Sequence, residues 1–401
     1  MGREPGALAR LVLKIREKRV THIPAALGDF YRGRRVLITG HTGFKGSWLT
    51  LWLTRLGAEV HGIALAPDQG ADNLFDCAAI TQRCESHLLN ICDAAAVSRC
   101  IHAIKPEIVF HLAARALVQQ GYEDPVGTFS TNALGTVHVL EAARQCKSVA
   151  ALVCVTTDKV YRNREWAWSY RETDELGGLD PYSASKAAAE MAVRTYRHAL
   201  RPNDRRFAIA TARGGNVIGG GDWSRFRLIP DIVRAIRADE PLTLRYPGAT
   251  RPWQHVLDLC HGYLLLGMRL AAEGQTFDEQ DGCWNFGPAP DAELTVAEVV
   301  QGFFQAWGTP EYPVEMGPVR TYEAMTLRLD PSLANRVLGW GPGLDAAGSI
   351  AWTAEWYRDY LADHFAAAAL VERDLTRFED ILSRSDRSAP VVRAAKGAPP
   401  C

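Results

Sequence analysis

The stretch Val36-Leu37-Ile38-Thr39-Gly40-His41-Thr42-Gly43-Phe44-Lys45-Gly46 decides the fold of this chain. It runs straight into Ser47-Trp48-Leu49-Thr50-Leu51-Trp52-Leu53. The apolar run before the glycines reads as a buried strand, and the run after them as an amphipathic helix. Gly40, Gly43 and Gly46 let the chain turn sharply and bring its backbone against a ligand. The bare N–H groups of the helix start then face an anion. Such a βα turn suits the pyrophosphate of a dinucleotide. A tight turn without a ligand accounts for the glycines alone, but not for the chemistry found further along the chain.

Outward from this turn, strands and helices alternate. A second strand is expected over 59–65, a short one near 86–89, a helix over 93–104 and a buried strand over 107–111. A helix over 129–145 leads to a strand over 150–155, and an Ala-rich helix following Pro181 leads to a strand over 207–212. That order predicts an α/β fold: a doubly wound parallel sheet with a smaller C-terminal lobe. Ligands of such sheets bind beyond the carboxyl ends of the strands. The glycine density of residues 214–223 marks the crossing into the second lobe. The expected organisation is an extension over 1–30 and a sheet domain over 31–215, rejoined by 252–287. A second domain covers 216–383, with helices expected after Asp330 and after Ala346, and a disordered tail 384–401. A short amphipathic helix is expected within the extension, from Leu8, Leu11, Val12 and Ile15.

Composition excludes several classes. A formal net charge of -1 offers no broad basic field for nucleic acid. The apolar patch Leu11-Val12-Leu13 is too short and too closely flanked by charge for a membrane span or a signal peptide. The nine cysteines are scattered without a CxxC pair, and HExxH is absent, so neither a disulfide framework nor a metal site is indicated. A cytoplasmic enzyme with reduced thiols fits these features.

Tyr182 and Lys186 stand one helical turn apart. A lysine ammonium there stabilises a phenolate and lowers the tyrosine pKa, making Tyr182 a general base. Packed tyrosines and solvated lysines give the same spacing by chance. Thr157, at the end of the strand before them, is placed to bind the same substrate hydroxyl, and the preceding glycine turn adds context that chance does not supply.

With these residues the chain resembles the extended short-chain dehydrogenase/reductase family, and within it the sugar-nucleotide 4,6-dehydratases, most of all their CDP-glucose branch. The resemblance runs from about residue 30 to about residue 360. It is carried by TGHTGFKGSWL (39–49), KPEIVFHLAA (105–114), DPVGTFSTNALGTVHVLE (124–141), DPYSASK (180–186), GNVIGGGDW (215–223), RPWQHV (251–256) and WNFGP (284–288). Asp158-Lys159 after Thr157 is similar to that branch, which has lysine where related dehydratases have glutamate.

The resemblance implies NAD as cofactor, a CDP-hexose as substrate and a homodimer. NAD would be held by Gly40, Thr42, Gly43, Phe44, Lys45, Gly46, Asp68, Asn90, Ile91, Leu112, Ala113 and Ala114, together with Tyr182 and Lys186. The catalytic set would be Thr157, Asp158, Lys159, Tyr182 and Lys186. Asp158 would be the acid that protonates the leaving C6 hydroxyl, and Lys159 the base at C5, unless Lys159 only pairs with Asp158 or a phosphate. Asn216, Arg251 and His255 would bind substrate, and no metal is implied. The dimer would pack through the Tyr182 helix, whose outer face is read as Ala187, Ala188, Ala189 and Ala192, and through the helix over 129–145.

Three departures from the family pattern stand out. Asn90 replaces an aspartate near adenine, Arg115-Ala116 replaces Gln-Pro with Gln119 in place of an arginine, and strand two ends without an acidic residue. An epimerase would use the same Tyr182, Lys186 and NAD without the Asp158-Lys159 pair. A non-catalytic binding protein would not need Thr157, Tyr182 and Lys186 intact.

Overall fold

The computed structural model describes residues 23–67, 72–200, 207–274, 282–288, 293–318 and 325–388. The helix expected from Leu8 to Ile15, Asp68, and residues 389–401 lie outside them. In chain order the elements begin α1 (Ile23–Tyr31), β1 (Arg35–Thr39), α2 (Phe44–Arg55), β2 (Glu59–Ala64), α3 (Leu74–Cys77), β3 (Glu85–Leu88), α4 (Ala94–Ile104) and β4 (Ile108–His111). Next come α5 (Val118–Glu123), α6 (Pro125–Phe129), a π-helical turn (Ser130–Leu134), α7 (Gly135–Gln145), β5 (Ala151–Val155), α8 (Pro181–His198) and β6 (Ala208–Gly214). The second half contains β7 (Val217–Ile218), α9 (Leu228–Ala238), β8 (Leu242–Leu244), β9 (Thr250–Arg251), β10 (Gln254–His255), α10 (Val256–Glu273) and β11 (Cys283–Phe286). It ends with β12 (Leu294–Thr295), α11 (Val296–Trp307), β13 (Val314–Met316), α12 (Ala346–Ala362) and α13 (Ala367–Ser388).

Seven strands form one parallel sheet in the order β11-β6-β5-β4-β1-β2-β3. Parallel strands need crossovers that cover both faces, so their sequences read as continuous apolar runs. In β1, Val36 and Ile38 join the core shared with α2 and α10, while Leu37 joins the core shared with α4, α7 and α8. β5 divides the same way, with Ala151, Val153 and Val155 on one side and Leu152 and Cys154 on the other. The strand order reverses between β1 and β4, which opens a crevice beyond their carboxyl ends.

Local signals set the helix ends. Asp180 caps α8 by accepting from the Ser183 N–H at 3.0 Å, with Pro181 in the first turn. A capping box between Thr295 and Glu298 opens α11, which closes on Gly308 at φ +100°.

Two expectations change. The tail expected from residue 384 begins inside α13, whose Leu370, Val371, Leu375, Phe378 and Leu382 are buried in the core that also holds Trp48 and Trp52. The helix expected after Asp330 is only a π-helical turn, Ala334–Leu338, stopped by Gly339 at φ +69°.

A buried ion pair joins α8 to the sheet. Arg213 Nη2 lies 2.9 Å from Glu190 Oε2, with both side chains almost fully buried. Thr156 and Thr211 donate to the same carboxylate, and Arg213 also donates to the Tyr161 hydroxyl at 2.8 Å. Burial pushes the Glu190 carboxyl up, but Arg213 and the two threonines outweigh it and hold it below the ordinary glutamate value. A carboxyl lowered on folding contributes stability above its unfolded pKa, and that stability is lost as pH falls through the folded value. Arg213→Met leaves Glu190 charged and unpaired, which costs about 3–5 kcal/mol. Urea denaturation should show that loss, and Arg213→Met/Glu190→Leu should recover most of it. A single variant as stable as the parent would remove the pair from this role.

Candidate active site

The glycine turn is built by close packing. Gly40 adopts φ +80°, and a Cβ there would lie 2.7 Å from the Ala113 nitrogen, so the end of β4 at Leu112-Ala113-Ala114 seats directly on it. A Cβ on Gly46 would lie 2.1 Å from the Gly40 carbonyl oxygen, which ties the first turn of α2 to the loop. Gly43 is exposed, and no side chain caps the helix it begins. The first-turn amides and the positive end of α2 are thus left for an anion, with no acidic residue in that turn. Phe44 and Thr42 are half-buried, and the Thr42 hydroxyl donates to the Leu65 carbonyl oxygen at 3.0 Å. Asn90 is exposed beyond the end of β3, where its side chain accepts from the Cys92 N–H; Ile91 is buried. These residues suit a dinucleotide lying across the carboxyl ends of β1, β2 and β4.

Beyond β5 the chain turns through Thr157, which caps the 3₁₀ turn Asp158–Val160 and donates its hydroxyl to Asp158 Oδ1 at 2.9 Å. Asp158 is buried and its Oδ2 has no hydrogen-bond partner. Burial raises its pKa, against the pull of Lys159, Thr157 and Arg251. A carboxyl so placed favours its neutral form and can donate a proton.

Tyr182 faces this turn from the start of α8. Burial pushes the phenol up to about 12, partly offset by its hydrogen bond with Thr157. The spacing argument had Lys186 lowering that value. Instead, the Lys186 ammonium donates to the Val155 carbonyl oxygen at 3.1 Å, and burial lowers its own pKa to about 8. Desolvation is the largest influence on the phenol.

A cleft of about 370 Å³ gathers these groups. Lys45, Thr157, Asp158, Lys159, Tyr182, Asn216 and Arg251 all line it. Lys186 lies behind Tyr182 and is not part of the wall. Burial lowers Lys45 to about 8, with Arg227 and Lys186 adding to the effect. His255 is not in the cleft: it is fully buried, its Nδ1 accepts from the Leu257 N–H at the start of α10, and it packs between Trp48 and Trp352. It is a core residue, and its neighbour Arg251 alone of that pair reaches the cavity.

Other contributors went unnoticed in the sequence. Arg227 lines the cleft, held by Asp222 at 2.9 Å, and its charge acts on both Tyr182 and Lys45. Asn132 bridges Arg115 and the Ser185 hydroxyl beneath Tyr182. Arg115 turns to Asp124 at 2.5 Å, while Ala116 and Gln119 remain in the cleft wall. Asn132 lies inside DPVGTFSTNALGTVHVLE, so that motif was its available signal; Arg227 had none.

Comparison with known proteins follows this geometry. The family described as GDP-mannose 4,6 dehydratase matches residues 37–351. A CDP-glucose 4,6-dehydratase of Salmonella typhimurium is 43% identical over 338 residues, covering 83% of this chain and 93% of the relative. A UDP-glucose 4-epimerase of Mycolicibacterium smegmatis is 29% identical, covering 81% and 99%. A dTDP-glucose 4,6-dehydratase of Streptomyces venezuelae, solved with NAD bound, superposes with a TM-score of 0.70 at 25% identity, over 82% of this chain and 98% of that one. With a glycine turn, a Thr-Asp-Lys strand end and a Tyr-Lys helix meeting in one cleft, this chain belongs to the GDP-mannose 4,6-dehydratase family of extended short-chain dehydrogenase/reductases.

Proposed function

We propose that the protein converts CDP-glucose to CDP-4-keto-6-deoxyglucose with NAD as a retained cofactor. The observation that carries this reading is the buried Asp158 carboxyl, which shares Thr157 with Tyr182 at one end of the cleft. An epimerase needs Tyr182 and Lys186 but has no leaving hydroxyl to protonate. The 43% identity to a CDP-glucose 4,6-dehydratase supports the same choice.

NAD held in this cleft would supply a hydride acceptor for C4 and the hydride donor for C6 of the same sugar, so the overall reaction would be loss of water without net redox change. The glycine turn and the start of α2 would hold its pyrophosphate, residues at the ends of β3 and β4 would take its adenosine half, and Lys186 would bind its ribose. Arg251 and Asn216 hold the diphosphate of the substrate. Tyr182 removes the proton of the C4 hydroxyl while Thr157 binds that oxygen. The C4 ketone acidifies C5, Lys159 takes the C5 proton, and Asp158 gives its proton to the departing C6 oxygen.

The sheet with its returning β11 is the cofactor domain, and the segment from residue 216 is mainly the substrate domain. The working form is a homodimer in the cytoplasm. Among the described residues no helix is long and apolar enough to cross a membrane, and the eight described cysteines are free thiols. The dimer face needs revision, because Ala187 and Ala189 are buried inside the subunit. The exposed apolar side chains Val126, Phe129 and Leu134 of the α6–α7 stretch and Met191 of α8 take their place. Light scattering of the parent should give twice the chain mass, and Leu134→Asp/Met191→Asp should give the monomer. A monomeric parent at micromolar concentration would end the dimer reading.

Incubation with CDP-, UDP-, dTDP- and GDP-glucose should give a product lighter by one water with CDP-glucose foremost, and no free NADH. Asp158→Asn should slow water loss by about 10²- to 10⁴-fold while C4 oxidation continues. That variant therefore accumulates enzyme-bound NADH, and Tyr182→Phe forms none. Turnover of Asp158→Asn within about threefold of the parent would place the acid elsewhere.

The pH dependence has a definite sign. An acid must enter protonated and a base deprotonated. Rising pH removes the Asp158 proton and slows water loss, while it ionises more Tyr182 and speeds C4 oxidation. The share of enzyme holding NADH during turnover should rise as pH climbs through the Asp158 pKa, which burial sets above the ordinary aspartate value. A share that stays level or falls contradicts this assignment.

A further inference from the structure

At the sheet edge farthest from β11, His61 of β2 stands opposite Glu85 of β3, and Ile63 opposite His87. Alternation along the strands therefore places His61, Glu85 and His87 on one face, the same face on which Ile63 packs into the core beneath α4. One ligand atom from each of the three lies within 4.8 Å of the others. His61 is buried, with 6% of its surface exposed. Its Nδ1 has no hydrogen-bond partner, and Glu85 Oε2 lies 3.4 Å away. His87 Nε2 is also shielded and without a partner, 3.5 Å from Glu85 Oε1. The two imidazole rings are nearly parallel, 12° apart with centroids at 6.1 Å.

We propose that His61, Glu85 and His87 form a binding site for one divalent transition-metal cation of the zinc class. The argument turns on the second nitrogen of His61. Its Nε2 lies 3.2 Å from Glu59 Oε1, a carboxylate that can only accept when ionised. In the neutral imidazole, the form that binds metal, donation from Nε2 to Glu59 puts the His61 lone pair on Nδ1, where it confronts the acceptor oxygen of Glu85. A cation between them turns that repulsion into coordination. A carboxylate behind a metal-binding imidazole is also the usual way its tautomer and orientation are fixed. Tetrahedral zinc with ligand distances of about 2.0–2.2 Å holds its ligand atoms about 3.4 Å apart. Both His–Glu separations are already of that length. Two imidazoles and one carboxylate are the donors that zinc, cobalt and nickel prefer over calcium or magnesium.

None of the three ligands lines the catalytic cleft. The cation would instead clamp the edge strand β3 to β2. Linear motifs could not reveal this site, because its ligands come from two strands that meet only in the folded sheet.

The test uses full-length protein without an affinity tag, stripped with a chelator and titrated with Co²⁺. The expected result is a visible d–d band saturating near one Co²⁺ per chain, displaced by Zn²⁺, with a higher melting temperature for the loaded form. His87→Ala and Glu85→Gln should abolish the band, and Glu59→Gln should weaken binding about 10- to 100-fold. Absence of the band from the parent overturns the proposal. So does a band that survives in Glu85→Gln, a substitution at an exposed position that keeps size and whose folding is checked by circular dichroism.

Discussion

The pair between Arg213 and Glu190 fixes the distance between the catalytic helix and the sheet. Glu190 lies two turns beyond Tyr182 on α8, and its carboxylate receives Arg213 and Thr211 from β6 and Thr156 from the end of β5. Three elements that carry the chemistry are held by one buried anion. The network continues through the Tyr161 hydroxyl to Asn285 on β11 at 2.7 Å, and the Asn285 N–H donates to Glu172 at 2.9 Å. The loop after Thr157 and the last strand of the sheet are therefore held to the same anchor. A satisfied polar cluster of this kind specifies one arrangement, because every shifted register leaves a charge unpaired in the interior.

Around that anchor the site arises from opposed demands on solvation. Burial drives Asp158 toward its neutral form and keeps the Tyr182 proton on the phenol, while it weakens the hold of Lys45 and Lys186 on theirs. The same burial therefore favours the role of a proton donor at Asp158 and opposes ionisation of Tyr182.

Much of this was legible in the residues. The glycine turn, the alternation of strands and helices, the Thr157-Asp158 strand end and the Tyr182-Lys186 turn are local patterns, and local patterns survive in sequence. His255 misled because a histidine beside an arginine in a polar loop has the same letters whether it points into a cleft or into tryptophans. Glu190 and Arg213 went unread because a lone glutamate on a helix resembles a solvated charge until its distant partner is known. Of the four α8 alanines read as one outer face, Ala187 and Ala189 lie buried inside the subunit, since an Ala-rich helix has little contrast between its sides. The strength of desolvation at Tyr182 has no sequence signature at all.

The position of α13 bears on what the first βα unit needs from the rest of the chain. Its Phe378 packs edge-on against Trp52, its Glu379 accepts from the Trp52 indole, and Arg55 reaches both Glu372 and Glu379. The first βα unit of the sheet is thus completed by α13, the last of the described helices. Trp52 and Glu379 stand 327 positions apart. A chain cut short before residue 378 therefore leaves the outer side of α2 with a tryptophan that α13 no longer covers.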